Sequence, residues 1–269
     1  NRYFKAEIRK NIPLRNDYNL LTFAPLTSTQ EPRPGQFYML GRNKWDDGGP
    51  QRLSFQQTTY DPLLKRPFSL FRRTREGLQI LFRVRGRGTM IMRSLRKGSL
   101  IDIIGPLGNS YPLPAKDQAP LIVAGGAGIA SLFSLAETLA WSGNKGYLYY
   151  GACTEGELLM QSVLKKYVKQ LHVSTDDGSC GERGTIVGLL EKHLPRHGAD
   201  TVLYTCGPRP MLEMIGSIVR ERGIPAFASM EEVMACGIGA CLGCVVKTVD
   251  GHRRVCKEGP VFSLHEILW

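Results

Sequence analysis

Four cysteines near the C-terminus constrain this chain more than any other feature. They lie in Cys236-Gly-Ile-Gly-Ala-Cys241-Leu-Gly-Cys244 and, after eleven further residues, at Cys256, a spacing of C-x4-C-x2-C-x11-C. Gly237, Gly239 and Gly243 let the backbone wrap tightly and take φ > 0 where needed. From Ala226 on the sequence is rich in Cys and Gly and too short to build a large core of its own. A bound inorganic group would supply the missing constraint. The full count of seven cysteines is odd, and no basic-then-apolar leader precedes them. That argues against a secreted disulfide framework and for metal in a cytoplasmic chain.

The first three cysteines have the spacing of plant-type [2Fe–2S] ligands. Structural zinc is the competing reading, but zinc sites usually pair two short Cys hooks. Here three thiols share one loop and the fourth arrives alone, so Cys236, Cys241, Cys244 and Cys256 are expected to ligate an iron–sulfur cluster. Cys153 and Cys180 are expected to be plain residues, since Cys often serves as a small buried hydrophobe.

The remainder divides by pattern. Segments Tyr3–Ile8, Tyr18–Phe23, Gln36–Leu40, Leu78–Val84 and Leu100–Ile104, separated by turn residues, predict a small antiparallel β-barrel. After the Pro-bearing stretch Leu113–Pro120, strands Leu121–Ala124, Gly146–Gly151, His172–Thr175 and Thr201–Thr205 alternate with predicted helices. Those helices are Ile129–Trp141, Glu155–Gln170, Ile186–His193 and Pro210–Arg222. This alternation predicts a parallel α/β sheet. The expected organisation is a β plus α/β chain: barrel over 1–115, α/β nucleotide-binding domain over 116–225, cluster-binding segment over 226–269.

Two glycine turns lie at strand ends of the α/β part. Ala124-Gly125-Gly126-Ala127-Gly128-Ile129 joins a strand to a helix, and Cys206-Gly207-Pro208 follows another strand. Each alone is equally well a tight turn, but two on one sheet favour a nucleotide crevice. Arg66-Pro67-Phe68-Ser69 offers a cation and a hydroxyl for a diphosphate, or simply begins a strand. The net charge is +11, and Lys65 to Lys97 holds eleven basic residues and one acidic, Glu76. Phosphorylated cofactors or an acidic partner fit this better than nucleic acid, for which no binding motif is present. The uncharged stretch Ala119–Ala136 contains Pro120 and three glycines, so it reads as strand, turn and helix, and no membrane span is expected.

Taken together, these residues resemble the ferredoxin-NADP reductase superfamily. Arg66 to Ser69, Phe82-Arg83-Val84 with Gly88-Thr89, and Gly105-Pro106-Leu107-Gly108-Asn109 resemble its FAD barrel, and Gly125 to Ile129 with Cys206 to Leu212 its nicotinamide domain. The stretch from Met234 through Val255-Cys256-Lys257-Glu258-Gly259-Pro260-Val261-Phe262 resembles the electron-transfer subunits of bacterial NAD-dependent dihydroorotate dehydrogenase. The resemblance implies that Arg66, Pro67, Phe68, Ser69, Leu81, Phe82, Arg83, Gly88 and Thr89 hold FAD. It places Gly125, Gly126, Gly128, Cys206, Gly207 and Pro208 by NAD(H), and the four cysteines on the cluster. No side chain of this chain then acts as acid or base. A nicotinamide exchanges a hydride and a cluster single electrons, so the flavin that does both belongs between them. The implied partner is an FMN-containing catalytic subunit that oxidises dihydroorotate to orotate in pyrimidine biosynthesis, two copies of each forming a heterotetramer. The same cofactors would also serve an NAD(P)H:ferredoxin, sulfide or hydrogenase complex. Two features depart from the pattern: a long stretch from Gly41 to Leu64 containing Trp45-Asp46-Asp47-Gly48-Gly49, and Ile129-Ala130-Ser131 where relatives often carry Pro.

Overall fold

Residues 2–41 and 63–269 are described by the computed structural model. The long loop expected between Gly41 and Leu64 falls almost entirely outside them.

Alternation builds the first sheet. Along β1 (Tyr3–Pro13), Phe4, Ala6 and Ile8 turn inward while their neighbours meet solvent. It is joined by β2 (Tyr18–Pro25), β3 (Phe37–Gly41), β4 (Arg66–Ser69), β5 (Arg72–Thr74), β6 (Gly77–Arg83) and β7 (Leu100–Leu107). The order is β4-β3-β7-β1-β2-β6-β5, every pair antiparallel. The sheet curls so that Phe68 of β4 meets Phe82 of β6 edge to face at 5.5 Å. A helix the sequence did not announce, α1 (Arg87–Ser94), follows β6. Gly86 and Gly88 mark that stretch as a turn on pattern alone.

Continuous apolar runs build the second sheet. In β8 (Ala119–Gly125) six successive residues are buried, as a central parallel strand requires. The chain continues through α2 (Ile129–Trp141), β9 (Tyr147–Ala152), α3 (Gln161–Leu164), β10 (Gln170–Thr175), β11 (Glu182–Arg183), α4 (Ile186–His193), β12 (Thr201–Cys206), α5 (Arg209–Arg222) and β13 (Ala226–Ser229). The hairpin β14 (Val245–Thr248) and β15 (Gly251–Arg254) precedes a final strand, β16 (Val261–Ser263). The order β11-β10-β9-β8-β12-β13-β16 is parallel except for the last pair. The stretch Ala119–Ala136 is therefore β8, a turn and the start of α2, and among the described residues no helix is long and apolar enough to cross a membrane.

One expected helix is corrected. Glu155–Gln170 forms only a 3-10 turn at Glu155–Glu157 and the single turn α3. Leu158 is extended and Met160 left-handed (φ 58°), which buries Leu158 and Leu159 together in the core. Burial of both leucines outweighs the helical pattern there.

Candidate functional site

The barrel residues with expected flavin contacts gather on its β4–β6 side. β4 pairs with β3 in the register Tyr38↔Phe68, Met39↔Pro67, Leu40↔Arg66, which leaves Arg66 to Ser69 half-buried. The Arg66 guanidinium donates to the Leu64 carbonyl at 2.7 Å. Leu81 and Phe82 are buried, whereas Arg83 pairs with Glu157 at 3.0 Å and lies over the Tyr18 ring. Gly88 and Thr89 stand in the first turn of α1. The Thr89 hydroxyl accepts from the Arg85 and Gly86 N–H groups and donates to the Gly86 carbonyl, so it closes that turn. A Cβ at Gly86 would meet nothing within 4 Å. Open space before a helix N-terminus suits an anionic diphosphate.

The basic run from Lys65 to Lys97 is not one solvated face. Arg72 pairs with Glu137 at 2.6 Å, Arg83 with Glu157, Arg93 with Asp17 at 3.0 Å, and Arg73 with Glu31. Two of these pairs cross from the barrel to the α/β part, Arg72 to α2 and Arg83 to the 3-10 turn at Glu155–Glu157.

Strand order reverses between β8 and β12, and ligands of open α/β sheets bind at such a point. Both glycine turns lie there, packed on each other. A Cβ on Gly128 would lie 2.1 Å from the Cys206 carbonyl oxygen, one on Gly125 2.6 Å from Met211 Sδ, and one on Gly207 2.5 Å from Met211 Cε. Only Gly126, at φ +49°, faces open space, so the crevice floor is a pair of interlocked turns with one exposed glycine backbone.

Cys206 is buried beneath this crevice. Burial pushes its thiol well above the usual range and nearby Glu231 adds to that, while hydrogen bonds from Ser229 and Ser131 oppose. It therefore remains a neutral thiol. Tyr111 shares the pocket, its hydroxyl 3.3 Å from Ser131 Oγ and its ring edge-on to Tyr204. Glu231 is exposed, and partial desolvation raises its carboxyl against the pull of Arg85. No motif in the sequence marks Tyr111, Ser131, Ser229 or Glu231 as site residues. They come from three separate stretches, the loop after β7, α2 and the end of β13, and only the topology brings them together.

The four clustered cysteines do not form a regular element. Cys236 Sγ accepts from the Cys241 N–H at 3.4 Å, and from those of Ile238 and Ala240. Burial pushes this thiol up, but the N–H groups win and bring it down to about 6. Cys244 Sγ accepts from the Cys256 N–H at 3.4 Å. Cys256, buried and facing Cys244, is pushed up to about 12. Among the described residues no three His, Cys, Asp or Glu close around a single ion. The donor set instead is all thiol with convergent N–H groups, which fits an anionic cluster better than one zinc.

Two contacts tie this loop to the rest. Gly237 (φ +70°) lies against Met39, whose strand partner is Pro67, so the cluster loop stands one strand from the expected flavin residues. Asn109 donates to the Glu258 and Val261 carbonyls and accepts from the Val261 N–H at 2.9 Å. The Gly105-Pro106-Leu107-Gly108-Asn109 motif thus ends by fastening the C-terminal segment. Arg254, paired with Glu258, also donates to the Gly239 carbonyl at 2.8 Å.

A curled antiparallel sheet beside a doubly wound parallel sheet is the fold of ferredoxin-NADP reductases. The solved NADH-dependent reduced ferredoxin-NADP oxidoreductase shares it at a TM-score of 0.81, with 27% identity over 98% of this chain and 90% of that one. Ferredoxin NADP+ reductase from Neisseria gonorrhoeae shares the fold alone, at a TM-score of 0.63 and 15% identity, covering 83% of this chain and 92% of that one. Residues 231–268 match the family model for the iron–sulfur cluster binding domain of dihydroorotate dehydrogenase B, and residues 122–217 that for the oxidoreductase NAD-binding domain. The electron transfer subunit of dihydroorotate dehydrogenase B (NAD(+)) from Clostridium acetobutylicum is 38% identical over 88% of this chain and 87% of its own. That from Caldanaerobacter subterraneus subsp. tengcongensis is 33% identical over 98% of both. The chain belongs to the family of dihydroorotate dehydrogenase B electron-transfer subunits. It is an oxidoreductase subunit that works with a catalytic partner.

Proposed function

We propose that this chain carries electrons between a partner flavoprotein and NAD+, through a [2Fe–2S] cluster and FAD, in the oxidation of dihydroorotate to orotate for pyrimidine biosynthesis. The observation that carries the reading is the cluster loop: four thiols, with backbone N–H groups donating to Cys236 and Cys244, one strand from Arg66 to Ser69. Cys236, Cys241, Cys244 and Cys256 would hold the cluster. Arg66 to Ser69, Leu81 to Arg83, Gly88 and Thr89 would hold FAD, and Gly125, Gly126, Gly128 and Cys206 to Pro208 would lie along NAD(H). When bound, the flavin links hydride exchange to one-electron exchange.

The chain's own part is to bind, orient and exclude water. The first turn of α1 would face the flavin diphosphate, and Gly126 leaves room for the nucleotide backbone to approach. Cys206, held neutral, puts no charge beneath the nicotinamide. No group of this chain needs to pass a proton.

Val233, Ile238 and Leu242 project from the cluster segment, 86%, 53% and 62% exposed, although large and apolar. Apolar surface beside a redox centre suits a permanent partner. We assign this face to an FMN-containing catalytic subunit, in an assembly of two copies of each. The domains would run 1–115, 116–225 and 226–269, and the complex would be cytoplasmic.

A second reading keeps the cofactors and changes the partner to a ferredoxin-linked complex; the 27% identity to the NADH-dependent ferredoxin-NADP oxidoreductase favours it over a sulfide or hydrogenase complex. Anaerobic co-purification followed by assay of dihydroorotate-dependent NAD+ reduction separates them. Turnover with a co-purifying FMN protein is expected. A flavin and iron–sulfur protein with another partner and no such turnover would move the chain to the second reading. Cys236→Ser should lose the visible cluster absorbance and bound iron, whereas Cys153→Ser should keep both.

A further inference from the structure

Leu70, Phe71 and Arg72 lead directly out of β4, the strand bearing Arg66 to Ser69. All three are held by α2, the helix that leads directly out of the Gly125–Gly128 turn. The Leu70 carbonyl accepts from Ser134 Oγ at 3.4 Å. The Phe71 ring lies 4.2 Å from that of Phe133. Arg72 Nη2 stands 2.6 Å from Glu137 Oε1, with Glu137 only 1% exposed. The same guanidinium lies over the rings of Phe133 at 5.3 Å and Tyr167 at 6.0 Å, and donates to the Tyr167 hydroxyl at 3.2 Å. Two candidate cofactor sites are thus joined by three adjacent residues after β4 packed on the helix that follows the glycine turn.

A buried ion pair is a poor way merely to glue two surfaces. The Glu137 carboxylate is removed from water while the Arg72 side chain stays 25% accessible, and burying such a charge costs roughly several kcal/mol, so apolar residues of similar volume often hold as well or better. What the pair adds is a fixed separation: Arg72 Nη2 is held at once against Glu137 Oε1 and the Tyr167 hydroxyl, although Glu137 Oε1 and Arg72 Nε gain no hydrogen bond there. A second ion pair between the two parts, Arg83 with Glu157, is more open, with side chains 34% and 20% accessible.

We propose that Arg72 and Glu137 are positioning residues for hydride exchange: their pair sets the separation between the strand that holds the flavin and the turn that holds the nicotinamide nucleotide. This rests on the cofactor assignment made above. In the step concerned, NADH would pass a hydride, two electrons with one proton, to the bound flavin and leave as NAD+. A misplacement of about 1 Å in such a step costs on the order of a hundredfold in rate.

The test uses the purified holoprotein mixed with NADH in stopped flow, followed by flavin bleaching. Glu137→Gln keeps the shape and removes the charge; Arg72→Lys keeps the charge and removes the fork. In both, the limiting rate at saturating NADH should fall at least tenfold, while the Kd for NADH shifts less than threefold and flavin content is unchanged. Amide hydrogen exchange should rise together at 70–74 and 129–137. The double variant Arg72→Met/Glu137→Leu should fold with the parent's thermal midpoint or better and still bleach at least tenfold more slowly. It decides the matter if a single variant does not fold. Parental bleaching in the double variant or in either folded single variant overturns the proposal, as does a loss confined to Kd. A double variant that cannot fold also overturns it, because the pair would then serve folding. A parent that NADH does not bleach overturns the cofactor assignment itself.

Discussion

In the nucleotide crevice, Gly128 turns its hydrogen toward the Cys206 carbonyl, where a Cβ would stand 2.1 Å away. In the cluster loop, Gly239 has φ +87° and a Cβ there would meet Lys257 at 3.1 Å. The first glycine is required by its neighbours and the second chiefly by its own backbone. A crevice built from interlocked turns is rigid before any ligand arrives. A loop built from left-handed glycines gains its shape from the donors it turns toward the sulfurs, and Arg254 and Asn109 hold it from outside.

Substitutions can break this contrast, and the largest effect is expected at Gly128. Gly128→Ala drives a methyl into a backbone carbonyl that cannot step aside, and should cost about 3 kcal/mol in urea unfolding and abolish NADH binding. Gly237→Ala should cost about 2 kcal/mol, from left-handed backbone together with displacement of Met39. It should also slow cluster incorporation without changing NADH affinity. Gly126→Ala meets no neighbour, so its stability loss should be only about 1 kcal/mol, while the Kd for NADH rises.

The smallest effect concerns pH. His172 stacks on Tyr149 at 4.7 Å, with His193 4.9 Å from it and His197 bonded to the Tyr149 hydroxyl at 3.0 Å. Burial lowers His172 and His197 below the usual 6.5, and the neighbouring histidines lower them further. In the unfolded chain they take up protons first. Their contribution to stability is therefore complete above pH 6.5 and lost as the pH falls below it. His172→Phe keeps the stack, and the slope of stability against pH below 6.5 should flatten in that variant.

Much of this was legible in the sequence because it is local. The cysteine spacing lies within 21 residues, and the strand-turn-helix joints at Gly125 and Cys206 and the alternation in β1 are more local still. What was illegible depended on distant partners. The segment after Glu155 has a helical pattern, yet the core takes Leu158 and Leu159 together and Met160 turns left-handed. The charge of Arg72 looked like part of a basic face, and its use is fixed by Glu137, 65 positions away. Tyr111 and Glu231 belong to Cys206 only once three strands have been laid side by side. That Asn109 fastens the segment after Cys256 follows from no spacing at all.

The last strand of the nucleotide sheet comes from beyond the final cysteine. β16 pairs antiparallel with β13, setting Phe262 opposite Ala228, and the Met230 N–H donates to the Pro260 carbonyl at 2.8 Å. During synthesis all four cysteines leave the ribosome before the strand that anchors them. The frame that fastens the cysteine segment is thus closed by a strand that follows it in the chain, so the sheet and the segment complete each other.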